Sequence, residues 1–528
     1  MSSSEPRPIG KRLVINNRYV GVFVLLLASA WVALVNGQPL FNIDTPAYVR
    51  GADFAVVYFL GPKFATSWTQ DRTRQGMEQR QKHEVHEVKN GGEVRLNSPF
   101  DQAVIAGRSI YYGALLYVGH ISSEFWLVVF TQAAVFLYLS YTLMIKCLRL
   151  SFVSFVCVTA IILAATPVSF FISVLMPDVF AGFLIVSVVI VIAFWDTLKP
   201  RDKVILCFVI LYSALTHTSH LVLLIWVVSV LAIISFLVGW NAKSHRPVRS
   251  SLAVLLALGL VGILGELGFS YAVRDAIGVD PIRPPFLMSR MIADGPGYQF
   301  LRENCATKPY TVCKYLDHLP VSGGEFLWSV SPTNGVFSVA DLPTRRALSS
   351  EQASFAIDVF RFDPAGVIAS AASDFFRQFF KITLDSFYLN EKDLADFATR
   401  LPASYFDAMT RSRIATREWL LQILGTFYFF TYVISLLALV LIAVSSYSAR
   451  SQRRPQILSL PEWRPMLTVV GLAIVSNAAI CGILSGPASR YQTRVSWIPL
   501  FILGLIAAKF CEAKNCKVES GARLRNNP

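Results

Sequence analysis

About ten stretches of this chain are apolar over lengths close to the roughly 20 residues that a helix needs to cross a bilayer. They run over 19–35, 125–145, 152–170, 178–195, 204–218, 220–240, 252–271, 419–445, 465–485 and 495–508. So many apolar segments cannot share one water-soluble core, and lipid must solvate most of them. Composition agrees. Hydrophobic residues make up 54% of the chain and charged residues 16%, against roughly 25% charged in soluble domains, and the mean hydropathy is +0.51. These figures exclude collagen-like, coiled-coil and disordered classes. The segment at 19–35 is read as a retained span, because the turn Asn36-Gly37-Gln38-Pro39 follows it in place of a small-residue cleavage site.

The net charge of +14 invites a nucleic-acid reading, so its distribution matters. With the N-terminus inside, the inner segments 1–18, 146–151, 196–203, 241–251, 446–464 and 509–528 hold 21 basic and 6 acidic residues. The remainder, 27 basic and 28 acidic residues, is near neutral. The excess charge is therefore the positive-inside signature of a polytopic membrane protein, and nothing is left to recommend a nucleic-acid partner. A bacterial inner membrane fits best, with both termini cytoplasmic, although an endoplasmic-reticulum protein would carry the same bias.

The expected architecture is an all-α polytopic membrane protein. Residues 1–271 form an N-terminal bundle with a large first outer loop at 36–124. Residues 272–418 form a mixed extracytoplasmic insertion between spans seven and eight, and 419–528 supply the last spans and a cytoplasmic tail. Of eight cysteines, Cys305 and Cys313 alone fall outside the membrane on the outer side, where an oxidising compartment would join them in a disulfide. Asp363-Pro364, followed by Val367, Ile368, Ala371, Phe375, Phe376 and Phe379, reads as a capped amphipathic helix on the bilayer surface. Thr66 to Asn97 is a polar excursion, and its His83-Glu84-Val85-His86-Glu87 lacks the four-residue histidine spacing of a metalloprotease helix. Gly91-Gly92 and Gly323-Gly324 read as turns, so no nucleotide loop is present and no metal ligand set is assigned.

Ionisable residues near the membrane are the natural functional candidates. Asp44 follows the first span, and Asp178 opens the fourth. His217 and His220 sit at the outer turn between the fifth and sixth, and Arg490 and Arg494 precede the last. All fall at one interface, the outer one. Either aspartate reads equally as a helix cap, and the histidines as a hydrogen-bonded hairpin. The arginines oppose the charge bias of the rest of the chain, and a phosphate is the natural partner for them. Arg50 and Arg108 are further candidates for that role. Only Glu266 is placed deeper, near the outer end of its span.

The order and sidedness of four short motifs resemble the GT-C superfamily of polytopic glycosyltransferases. These are Asp44-x-x-x-Tyr48-x-x-x-Ala52 after the first span, Gly107-Arg108-Ser109-Ile110-Tyr111-Tyr112 before the second, Pro177-Asp178 at the fourth, and Arg490-Tyr491 ahead of Trp497-Ile498-Pro499. The resemblance covers mainly 19–240 and 465–508. Where many members carry an acidic pair, this chain has Asp44-Thr45. The resemblance implies a helical bundle with its active site on the outer face, a polyprenyl-phosphate-linked sugar as donor, and a glycan, lipid or protein acceptor. It implies Asp44 and Asp178 as catalytic carboxylates, with Arg490, Arg494, Arg108, Tyr48, His217 and His220 around the substrate. It leaves a divalent cation (Mg or Mn) open, and Trp328, Tyr298 and Tyr310 are candidate sugar-stacking surfaces. A transporter or flippase for lipid-linked glycans, or a non-catalytic envelope-assembly factor, are the competing readings.

Overall fold

The computed structural model describes residues 9–68, 104–237, 246–447 and 462–525. Among them the protein is helical, with two isolated β-bridges and no strand. The motif His83 to Glu87 and the Gly91-Gly92 turn lie outside the described residues. The first half of the chain runs α1 (Ile9–Ser29), α2 (Trp31–Asn36), α3 (Thr45–Leu60), α4 (Ile110–Ser123), α5 (Trp126–Tyr141), α6 (Phe152–Ala165), α7 (Val168–Ser173), α8 (Val179–Phe194), α9 (Pro200–Thr216), α10 (Thr218–Leu237) and α11 (Arg246–Ile277). The segment 272–418 adds α12 (Phe286–Ala293), α13 (Pro296–Asn304), α14 (Gly323–Trp328), α15 (Leu342–Phe362), α16 (Pro364–Phe379), α17 (Glu391–Arg400) and α18 (Ala403–Thr410). Helices α19 (Glu418–Tyr447), α20 (Trp463–Leu484), α21 (Ser489–Thr493) and α22 (Trp497–Arg525) complete the chain.

Among the described residues, seven helical segments are long and apolar enough to cross a membrane: Trp126–Cys147, Val179–Thr197, Thr218–Leu237, Ser250–Ile277, Glu418–Ser445, Trp463–Leu484 and Ser489–Lys514. The other three apolar stretches lie on shorter pieces. The stretch at 19–35 is divided at Ala30 between α1 and α2. That at 152–170 is divided where Thr166 turns extended (φ −140°, ψ 162°) ahead of Pro167, because a residue before proline is driven out of the helical region. The stretch at 204–218 lies on α9, which has 17 residues.

Helix α8 is apolar on every face, and the bundle closes around it. Of its most apolar window 83% is buried, against 22% for the windows in α11 and α19, which stand at the periphery. It packs against α5, α9, α10, α11 and α20.

The segment 272–418 packs in two ways. Residues from Ile282 to Val359 build a core of their own around Met288, Phe300, Leu301, Phe326, Leu348 and Phe355. Leu384, Phe387, Leu389, Phe397, Met409 and Ile414 instead join the core of the bundle. The span 272–418 therefore holds a small outer core followed by a segment tied down on the bundle. Asn36 anchors that segment, since its Oδ1 accepts from the amides of Ile414 (2.9 Å) and Ala415 (3.3 Å). Cys305 and Cys313 are joined in a disulfide, with Cα atoms 5.8 Å apart. Asp363 caps α16 through the amide of Gly366 at 2.8 Å. The helix turns buried Asp374 and Gln378 toward α20 and leaves Ile368 and Phe376 exposed.

Candidate functional site

The site begins with backbone. Leu40 pairs with the chain after α7: its amide donates to Ser173 O, and its carbonyl accepts from the Leu175 amide, both at 2.9 Å. Thr45 Oγ1 accepts from the Asn42 amide (2.9 Å) and donates to Leu175 O (3.1 Å). These bonds strap the turn from Asn42 to Thr45 onto Leu175-Met176-Pro177-Asp178, so two aspartates 134 positions apart in sequence open neighbouring helices.

Both aspartates stand at N-cap positions, and neither side chain makes a capping hydrogen bond. Each turns to arginine. Asp44 Oδ1 receives Arg108 Nη2, and its Oδ2 receives Arg490 Nη2 at 2.9 Å. Asp178 Oδ1 receives Arg494 Nη1 at 3.1 Å, with both side chains buried. Arg108 arrives on the Gly107-Arg108-Ser109 lead-in to α4, where Ser109 caps the helix through the Tyr111 amide and donates to Leu215 O at 2.6 Å. Close packing fixes the lead-in as well. A Cβ on Gly113 of α4 would lie 2.7 Å from the Tyr48 carbonyl of α3.

Arg490 and Arg494 are four residues apart around α21, and the ring of Tyr491 lies between them. The two guanidinium carbons stand 5.4 and 5.3 Å from its centroid, a cation–π arrangement that spaces two like charges. Arg490 also donates to Asn42 Oδ1 at 3.2 Å. Arg494 donates to Asn477 Oδ1 (3.1 Å) and Ser219 Oγ (3.2 Å). Three guanidiniums thus face two carboxylates, leaving one positive charge in excess. Burial alone would raise the Asp44 carboxyl, but Arg108 and Arg490 outweigh it and hold the group below the usual carboxylate range. For Tyr48, burial dominates and raises the phenol above its ordinary value.

The remaining candidates divide. Tyr48 lies under the Arg108 guanidinium, 5.9 Å from its ring centroid. His217 Nδ1 accepts from the Ser219 amide at 3.1 Å, and the same serine serves Arg494. His217 and Glu266 line a water-sized cavity of 30 Å³ together with Arg108. His220 is buried beneath, its Nδ1 bonded to Ser213 O at 3.0 Å, and it serves the α9–α10 hairpin. Of the three aromatic candidates, Trp328 alone reaches the cluster, 6.0 Å over Arg108 and 45% exposed. Tyr310 bonds Asp358 (2.8 Å) in the outer core, and Tyr298 packs against that core. Arg50 is half-buried on α3, six residues beyond Asp44. Asn42, Asn477 and Ser219 were not among the sequence candidates, and Tyr491 entered only within the Arg490-Tyr491 motif. Asn477 had a visible signal, a lone amide inside an otherwise apolar span.

Among the described residues no group of three or more His, Cys, Asp or Glu side chains gathers as a metal cage. The site's two carboxylates carry guanidinium partners. Compared with models of protein families, with curated proteins and with solved structures, the chain matches none.

Proposed function

We propose that the protein is an integral-membrane glycosyltransferase, which moves a sugar from a polyprenyl-phosphate donor to a glycan, lipid or protein acceptor at the extracytoplasmic face of a bacterial inner membrane. We take all ten apolar stretches as membrane-embedded and both termini as cytoplasmic. The observation that carries the reading is the clamp on Asp44, a carboxylate gripped by Arg108 and Arg490 where α3 begins.

Held this way, Asp44 is a poor base, because both oxygens are occupied and its proton affinity is depressed. A donor phosphate changes that. It offers the two guanidiniums a doubly bonded anion, takes them from Asp44, and leaves a bare carboxylate beside the sugar. Asp44 then accepts the proton of the acceptor hydroxyl as its oxygen attacks the anomeric carbon. The bond from that carbon to the phosphate oxygen breaks, its electron pair stays on the phosphate, and the arginines stabilise the charge. Attack opposite the leaving group inverts the sugar carbon. Asp178 acts from behind by fixing Arg494, and Trp328 offers a ring beside the phosphate.

The test compares membranes of a deletion strain complemented with wild type, Asp44→Asn or Arg490→Gln, with envelope glycans profiled by mass spectrometry. Deletion should remove one sugar from a glycan. Asp44→Asn should fail to restore it while inserting normally, with transfer about 10²–10⁴-fold slower. Full restoration by both variants would sink the reading in favour of a transporter, flippase or assembly factor. Assays with Mg, Mn or chelator decide metal dependence.

A further inference from the structure

A separate cavity measures 860 Å³, within the range of about 300–1,000 Å³ typical of small-molecule sites. It is bounded by the chain from Asn36 to Phe41, by the α4–α5 turn and by α18 with the residues that follow it. Its back wall is aromatic. Phe41, His120, Trp126 and Tyr405 line the cavity, backed by buried Trp68 and Phe125 at ring-centroid separations of 5.4 to 6.4 Å from Phe41 and Tyr405, and His120 Nδ1 holds Tyr405 Oη at 2.7 Å. Gln38 and a run of serines, among them Ser123 and Ser404, add hydrogen-bonding groups. At the mouth stand Arg411 and Arg413, both exposed, opposite the single carboxylate of Glu124. Among the described residues neither arginine has a carboxylate partner, so the mouth carries an excess of positive charge.

We propose that this cavity binds an anionic saccharide. Rigid rings beside hydroxyl and amide groups match a sugar, which has an apolar C–H face and a rim of hydroxyls. Two arginines match a carboxylate on that sugar. The cavity is joined to the clamp through the chain, since Phe41 lines it and neighbouring Asn42 receives Arg490 at 3.2 Å. Under the transferase reading it is the acceptor's seat; that designation rests on the reading, whereas the binding does not.

The experiment uses the full chain in lipid nanodiscs, with trigalacturonate as the probe and calorimetry as the readout. Neutral maltotriose and triglutamate serve as controls. Trigalacturonate should bind saturably, more tightly than either control, and less tightly as salt rises. Arg411→Gln/Arg413→Gln should weaken it roughly tenfold or more. Ser404→Trp should block it by filling the cavity. Absence of saturable binding to wild type overturns the proposal, as does undiminished binding to both altered-cavity proteins. Triglutamate binding as tightly as trigalacturonate overturns the saccharide assignment. Saturable binding alongside a failed glycan-restoration test keeps this site and discards the transferase reading.

Discussion

At the scale of single residues, the Asp178–Arg494 pair and the Asp44 clamp do different work. Asp178 and Arg494 are shut away, with side chains 3% and 0% exposed. Removing one partner strands the other charge in a medium that solvates it poorly, at a cost of about 3–5 kcal/mol. Arg494→Gln should therefore lower the unfolding midpoint of the detergent-solubilised protein sharply, and Asp178→Asn/Arg494→Gln should recover part of the loss. The Asp44 clamp is nearer the surface and reports through pH. Because the folded carboxyl is depressed, its stabilisation is complete above the unfolded value of about 3.9 and fades as pH falls through the lower folded value. The midpoint difference between wild type and Asp44→Asn should stay level from pH 7 to about 5 and shrink only below about 4. A difference that collapses already near pH 5 would show that the clamp does not lower the carboxyl. The charged members of this cluster were legible in sequence because charge at a membrane interface is costly. Ser219 was not, since a serine there is ordinary, and only the fold sets it between Arg494 and His217; Tyr491 was visible only as part of the Arg490-Tyr491 motif, not as the ring beside both guanidiniums.

At the scale of elements, the site depends on how closely α3 and α4 approach. Gly113 leaves no room for a side chain against the Tyr48 carbonyl. Gly113→Val must push the helices apart, and with them Asp44 from Arg108. Glycan restoration should fall to a level near that of Asp44→Asn, although the substitution touches neither charged group. Restoration at the wild-type level would show that this approach is not what positions the clamp. Sequence pattern located the long apolar helices within a few residues, because their length is dictated by the bilayer. It did not foresee the breaks at Ala30 and Thr166, although Pro167 signalled the second. Nor did it foresee the strap between Leu40 and Val174, whose bonds are made by backbone and leave no mark in residue type.

At the scale of the whole molecule, sidedness is the claim to check. An impermeant maleimide applied to intact cells should label Cys305 and Cys313 after mild reduction, and should reach Cys511 only once the membrane is opened. Labelling of Cys511 in intact cells would invert the topology and move the charged cluster to the cytoplasm. The outer region could be delimited in sequence because it is soluble-like in composition. Its division could not, since Leu384 to Ile414 carry the same mixture of residues as the independent core before them and differ only in what they pack against.

The pairing of Asp178 with Arg494 also has a consequence for biogenesis. The two residues are 316 positions apart, so a ribosome delivers the aspartate long before its partner exists. During that interval the growing chain holds a carboxylate at the mouth of its most apolar helix with nothing to neutralise it. Insertion of the final hairpin is thus what completes the bundle. A nascent protein ending before Ser489 therefore presents an unmatched charge.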